Sequence, residues 1–273
     1  MIMGMEQMDA QLKNVKMVFS DIDGTLLDSQ FRLSEKTIGT VGLLAQKKIE
    51  FVLVSARMQA TMEPLHSALG LDSPMICYSG ALAVDGDGEM LFEYVIEGNI
   101  ALDIYRFIRG AFPQVTCSAY YGNDWIVRDI NDKNVVREIE IVGLQPEQTD
   151  VQAYIAENGK LHKLFCVGTD SDIEAVYRAL NARFGEDVYV CKSKDIYIEI
   201  TAKSATKENA VKQLCERLDV PLGCTMAIGD HHNDIEMIRE AGVGAAVGNA
   251  AEEVKAVAGM VVVGMRERGR HDG

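Results

Sequence analysis

The chain has 273 residues, of which 48% are hydrophobic and 25% charged, and a formal net charge of −14. That length and balance suit one large or two modest globular domains and exclude a disordered or collagen-like chain. So acidic a surface repels phosphate backbones, which excludes a broad nucleic-acid footprint and leaves any phosphate to be held locally, by a few cations or a metal ion.

Short β-branched runs alternate with amphipathic helical stretches through most of the chain, the signature of a parallel α/β sheet. After a flexible start at residues 1–14, residues 15–20 predict a buried strand. Residues 34–48 predict a helix with Ile38, Val41, Leu44 and Ala45 on one face. Residues 50–55 (EFVLVS) predict a second buried strand, followed by a helix to about residue 69, and residues 75–78 a third strand. Residues 81–92 predict a hairpin turning at Asp85-Gly86-Asp87-Gly88.

The character then changes. Helices at 99–109 and 172–184 lie among strands at 115–119, 163–167 and 188–190, with Ser171 and Glu174 as a capping box for the second helix. This stretch predicts a small α+β domain, residues 94–192, inserted into a core of residues 15–93 and 193–273. Its polar and aromatic residues, Tyr120, Tyr121, Asn123 and Trp125 among them, are expected on its functional surface. Residues 196–201 restart the first pattern: helix 206–218, strand 225–228, helix 232–240, strand 245–247, helix 251–257 and strand 260–263.

The six cysteines (Cys77, Cys117, Cys166, Cys191, Cys215, Cys224) form no CxxC pair and sit mostly among apolar residues. That is the pattern of small core residues in a reducing compartment, not of a disulfide frame or zinc site. The first fifteen residues carry Glu6 and Asp9 and no unbroken apolar stretch, which argues against a signal peptide. The longest apolar run, near residues 256–265, is about half of the ~18 residues a membrane span needs. A soluble, cytoplasmic protein with no membrane contact is expected.

Four places carry candidate chemistry. The first is Ser20-Asp21-Ile22-Asp23-Gly24-Thr25, directly after the strand VKMVF. Open α/β sheets hold ligands at the carboxyl ends of strands, and two acids there repel one another unless a metal intervenes. An ordinary Asp-Gly turn is the bland alternative, and an EF-hand loop lacks its remaining ligands. The second is FVLVSAR, where Ser55, Ala56 and Arg57 end a strand with a hydroxyl and backbone amides suited to a phosphate oxygen; taken alone, a helix-capping Ser55 is the better explanation. The third is Lys207 at a helix start, where a cation opposes the macrodipole unless an anion binds, although a solvated lysine would also sit there. The fourth is Gly229-Asp230-His231-His232-Asn233-Asp234, with more acid and amide groups than capping needs.

In this order, DxDGT, a strand ending in Ser, a helix-start Lys and GDxxND resemble the haloacid dehalogenase (HAD) superfamily, over about residues 15–260. The spacing is similar to the Cof-type phosphatases, whose roughly 100-residue cap lies between the third strand and the Lys motif. The resemblance implies an α/β fold, a Rossmann-like parallel-sheet core with an inserted α+β cap domain of the C2 type. It implies Asp21 as nucleophile and Asp23 as general acid–base. Mg2+ would be bound by Asp21, the Asp23 carbonyl and Asp230. Phosphate or substrate would meet Ile22, Ser55, Ala56, Arg57, Lys207 and Asn233, with Thr25 and Asp234 in support. The expected activity is Mg-dependent hydrolysis of a small phosphorylated metabolite (a sugar phosphate or a flavin- or pyridoxal-type phosphate) through an aspartyl-phosphate. In related ATPases that keep such an intermediate, the second acid is missing.

The chain departs from that pattern at Ser79-Gly80, where many relatives carry Asn-Gly, and at Glu208 after the lysine, with Lys203 a nearby competitor. Residues 264–273 (GMRERGRHDG) do not resemble the usual last loop and helix. A receiver-like signalling domain or a non-catalytic phosphate-binding protein are the alternatives; the former needs only about half this length. A dinucleotide fold fails because residues 242–247 carry Val where the third small residue is needed.

Overall fold

The computed structural model describes residues 11–262. The start of the predicted flexible segment, residue 263 of the last predicted strand and the atypical tail lie outside these. The chain divides into two compact units, one holding the described residues up to Arg57, Met62–Phe92 and those from Thr206 onward, the other Met58–Thr61 and Glu93–Ala205.

The chain enters the first unit through β1 (Met17–Asp21), α1 (Glu35–Gln46), β2 (Glu50–Val54), α2 (Gln59–Ala68), β3 (Met75–Cys77) and the hairpin of β4 (Leu82–Val84) and β5 (Met90–Glu93). Asp85 closes the predicted turn by accepting from the backbone N–H groups of Asp87 and Glu89. Ser34 caps α1 by accepting from the N–H of Thr37. Only Val41 of the predicted apolar face is fully buried; Leu44 is half-buried and Ile38 and Ala45 are exposed. This helix packs on β2 through a narrower stripe than its periodicity implies.

The second unit contains β6 (Ile96–Glu97), α3 (Gly98–Ala111), β7 (Thr116–Tyr121), β8 (Asp124–Val127), α4 (Lys133–Val142), β9 (Glu147–Gln148), α5 (Val151–Asn158), β10 (Lys160–Leu161), β11 (Lys163–Val167), α6 (Asp170–Phe184), β12 (Val188–Lys194) and β13 (Tyr197–Ala202). Its main sheet has the order β12-β13-β11-β7-β8-β9, and β6 pairs separately with β10. Ile104, Ile108, Leu164, Ile198 and Leu180 belong to one buried apolar cluster of this unit. Two expectations are corrected here. Residues 196–201 do not restart the core: β13 pairs antiparallel with β11 and β12, so this unit runs on to Ala205. Helix α6 is capped by Thr169, not Ser171, because it begins two residues earlier than the pattern implies; Glu174 instead pairs with Arg178 and Lys192. Tyr120 and Trp125 are buried and stacked on one another, so they serve packing, not an open surface.

The chain returns through α7 (Lys207–Arg217), β14 (Thr225–Gly229), α8 (Ile235–Glu240), β15 (Val243–Val247), α9 (Glu252–Val257) and β16 (Met260–Val262). The first unit's eight strands run β16-β15-β14-β1-β2-β3-β4-β5, parallel from β16 to β3. Every residue of β1 is buried, as a central parallel strand covered on both faces requires. Its carboxyl end therefore opens between those of β2 and β14, where a doubly wound sheet presents its ligand crevice. Among the described residues no helix is long and apolar enough to cross a membrane. All six cysteines are free, four of them buried.

Candidate active site

Two strand ends, those of β1 and β14, and one helix start build a buried charge cluster. Asp21, the last residue of β1, is only 7% exposed. Its Oδ1 accepts from Lys207 Nζ at 2.6 Å, and the same ammonium donates to Asp234 Oδ1 at 2.6 Å. Lys207 is 2% exposed, the first residue of α7, whose N-cap Thr206 accepts from Asn209 N. A charge so far from water is tolerated only when paired and hydrogen-bonded. Lys203, in the second unit, is half exposed and 3.6 Å from Glu186, so Lys207 is the lysine that meets the carboxylates.

Asp234 is fully buried, and its Oδ2 accepts from the N–H groups of Asp230 and His231, both at 3.0 Å. It thereby folds the loop after β14 back on itself. Asp230 Oδ1 accepts from Thr25 at 2.8 Å. Asp21, Asp230 and Asp234 offer carboxylate oxygens within 4.8 Å of one another. Burial raises the Asp21 carboxyl; Lys207 pulls it down and Asp234 and Asp230 push it back, leaving it at about 7. Asp230 is likewise raised, by burial first and by Asp234, against the Thr25 hydrogen bond. Burial alone would lower Lys207, but the two carboxylates hold it above the ordinary lysine value.

The donor set is all oxygen, as a hard divalent cation requires. Asp234 spends both oxygens on Lys207 and backbone N–H groups. Asp21 Oδ2 and Asp230 Oδ2 accept no hydrogen bond from a described residue. Asp21 and Asp230 are therefore the pair best fitted to a cation.

Glycines let these groups meet. Gly24 has φ +92°, and a Cβ there would collide with the Asp230 carboxylate; one at Gly229 would collide with Asp234. Tyr78, Ser79 and Gly80 all have positive φ, and a Gly80 Cβ would strike the Thr206 carbonyl. The Ser79-Gly80 departure thus forms a tight turn set against the residue that caps the Lys207 helix.

Asp23 lies beyond the strand end and is partly exposed. Arg57 grips it from both sides of the carboxylate, Nε to Oδ2 at 2.8 Å and the terminal nitrogen to Oδ1 at 2.6 Å. Ser55 is buried at the end of β2 and accepts from the Arg57 backbone N–H at 3.3 Å. Ile22 is a core residue whose carbonyl accepts from Leu26 and Leu27, closing the DIDGT turn, and Ala56 is half-buried beside Ser55. Asn233 is exposed and makes no side-chain hydrogen bond to a described residue, so no contact ties it to the cluster. His231 and His232 are edge to face and exposed. Asn249, after β15, is the residue the motifs missed: its amide donates to the Gly24 carbonyl at 2.9 Å, and Ala251 N donates to the Asp230 carbonyl. The Gly-Asn-Ala-Ala turn at a parallel strand's carboxyl end was the available signal.

Residues 18–269 match the family of haloacid dehalogenase-like hydrolases. The chain is 31% identical to a Haemophilus influenzae protein over 254 residues, 93% of this chain and 95% of that one. It is 25% identical to phosphatase YwpJ of Bacillus subtilis, covering 93% and 97%, and 26% identical to an Escherichia coli HMP-PP phosphatase, covering 86% and 85%. A crystal structure of a haloacid dehalogenase-like hydrolase from Bacteroides thetaiotaomicron shares the fold at a TM-score of 0.84 and 24% identity, covering 93% of this chain and 96% of that one.

Proposed function

Since the chain belongs to the haloacid dehalogenase-like hydrolases, we propose that it is a Mg2+-dependent phosphatase of small phosphorylated metabolites that works through an aspartyl-phosphate. The observation that carries this reading is Lys207, buried and held at 2.6 Å by both Asp21 and Asp234, with Asp230 alongside. The phosphatase names among the relatives support the same class of activity.

In this reading Asp21 attacks the phosphorus and releases the alcohol. Lys207 offsets charge on the phosphoryl oxygens, with Ser55 and the chain at Ile22 and Ala56 beside them. Asp23 protonates the leaving oxygen and then takes a proton from the water that hydrolyses the intermediate. Arg57 orients Asp23 through its bidentate pair, in place of the direct substrate contact expected from the motif. Thr25 and Asp234 hold Asp230 and its loop in place. Bound between Asp21 and Asp230, Mg2+ would supply positive charge against the phosphoryl oxygens. The Asp23 carbonyl completes the expected ligands, and Asn233 meets the substrate only if its side chain turns inward. The inserted unit serves as the cap that selects the substrate. The test is release of phosphate from p-nitrophenyl phosphate: chelator abolishes it and Mg2+ restores it, whereas full activity in excess chelator overturns the reading.

A further inference from the structure

The inserted unit carries a polar cleft that the proposed chemistry does not use. It has a volume of about 510 Å³ and is walled by Tyr105, Arg109, Arg128, Gln148, Thr149 and Asp150. All of these residues belong to the second unit, and none is shared with the Asp21 cluster. We propose that this cleft binds a small oxyanion, a phosphate or carboxylate group, gripped by Arg109 and Arg128 and by the Tyr105 hydroxyl.

Three observations carry the proposal. Tyr105 is only 3% exposed, on α3 within the apolar cluster, yet its hydroxyl makes no hydrogen bond to a described residue and the side chain lines the cleft. Its oxygen is not among the buried atoms left without a partner, so it keeps access to the cleft and can donate there to a bound acceptor in place of water. Burial raises its pKa further above the ordinary tyrosine value, which keeps the proton on the oxygen. Second, neither Arg109 nor Arg128 lies within ion-pair distance of a described carboxylate, although the chain carries a net charge of −14. Both guanidinium groups line the same cleft, Arg109 half-buried and Arg128 exposed, and their planar forks match an oxyanion's geometry.

Third, the one acid in the wall, Asp150, spends one of its two oxygens on the local backbone. Asp150 caps α5, its Oδ1 accepting from the N–H groups of Gln152 and Ala153 at 2.9 and 3.2 Å. Gln148 Oε1 similarly accepts from the Ile130 N–H at 2.9 Å. Asp150 Oδ1 and Gln148 Oε1 are engaged locally while the two guanidinium groups pair with no described carboxylate, so donors outweigh the single remaining carboxylate oxygen and favour an acceptor-rich ligand. The chain's net charge of −14 disfavours long polyanions.

The experiment follows the side-chain Nε–H signals of Arg109 and Arg128 by NMR in the full-length, chelator-treated protein. Inorganic phosphate and, separately, acetate are titrated at fixed ionic strength, with Arg109→Gln and Arg128→Gln supplying the assignments. Both signals are expected to shift and saturate together with a Kd of about 1 mM or tighter for at least one anion. Saturation by phosphate alone identifies a phosphoryl ligand, and saturation by acetate alone a carboxylate. Tyr105→Phe keeps the buried ring and is expected to weaken binding about tenfold. Shifts that stay linear for both anions overturn the proposal. So does saturation unaffected by Tyr105→Phe and by either arginine variant, which would place the anion elsewhere.

Discussion

Replacing Lys207 by Met removes the one cation buried among Asp21, Asp230 and Asp234, changing the cluster's formal charge from −2 to −3. Two 2.6 Å hydrogen bonds disappear with it. Breaking a buried ion pair by deleting one partner typically costs about 3–5 kcal/mol, because the remaining charge is left unpaired. The loss depends on pH in a defined sense. Asp21 is raised in the folded protein from 3.8 to about 7, so its contribution is fully present below pH ~4 and is lost as pH rises through about 7. Without Lys207 the carboxyl rises further, and the protein escapes part of the penalty at pH 6 by protonating it. Urea denaturation in chelator should therefore show Lys207→Met destabilised by about 3–5 kcal/mol at pH 8 and by at least about 1 kcal/mol less at pH 6. Adding Asp21→Asn should recover part of the loss at pH 8. A loss below about 1 kcal/mol at pH 8, or one equal at both pH values, refutes the mutual dependence of these charges.

Asp23→Asn should slow alkyl phosphates far more than p-nitrophenyl phosphate, whose leaving group needs little protonation. Arg57→Met should reproduce that substrate-dependent loss in milder form; equal losses on both substrates would make the Asp23–Arg57 pair structural. In the second unit, His162 is buried, accepts from the Gly122 N–H through Nδ1, and faces Glu93 through Nε2 at 3.0 Å. Burial lowers it to about 4 against the attraction of Glu93. Its contribution is therefore present above about pH 6.5 and is lost as pH falls towards 4. Roughly 3 kcal/mol should drain away over that window in the wild type and be largely absent in His162→Gln, as read from Tm against pH.

What is legible in the sequence follows from how a parallel sheet is built. Buried central strands appear as unbroken apolar runs, and VKMVF, EFVLVS and TMAI end in the Asp21, Ser55 and Asp230 segments at the crevice. The same logic fails for β13. IYIEITA resembles another core strand, and only its antiparallel partners β11 and β12 assign it to the inserted unit. Short helices α4 and α5, with Asp132 and Asp150 as caps, are hidden among turn-forming residues. Nor does local pattern disclose long-range pairing: Arg57 and Asp23 are 34 positions apart, and Asn249 and Gly24 are 225 apart. Lys207 taken alone looks like a solvated lysine at an unfavourable helix end. Its two carboxylate partners, 27 and 186 positions away, make it instead the buried centre of the cluster.

The most direct test of the central claim is to catch the covalent intermediate. Asp23→Asn protein, in which attack by water is slowed, is mixed with p-nitrophenyl phosphate and Mg2+, quenched in acid and digested for peptide mass analysis. The predicted result is one phosphoryl group on the peptide containing Asp21, absent without Mg2+ and absent when Asp21→Asn is added. Steady turnover with no phosphoryl-protein at any quench time, together with Asp21→Asn retaining more than about a tenth of wild-type activity, would contradict it.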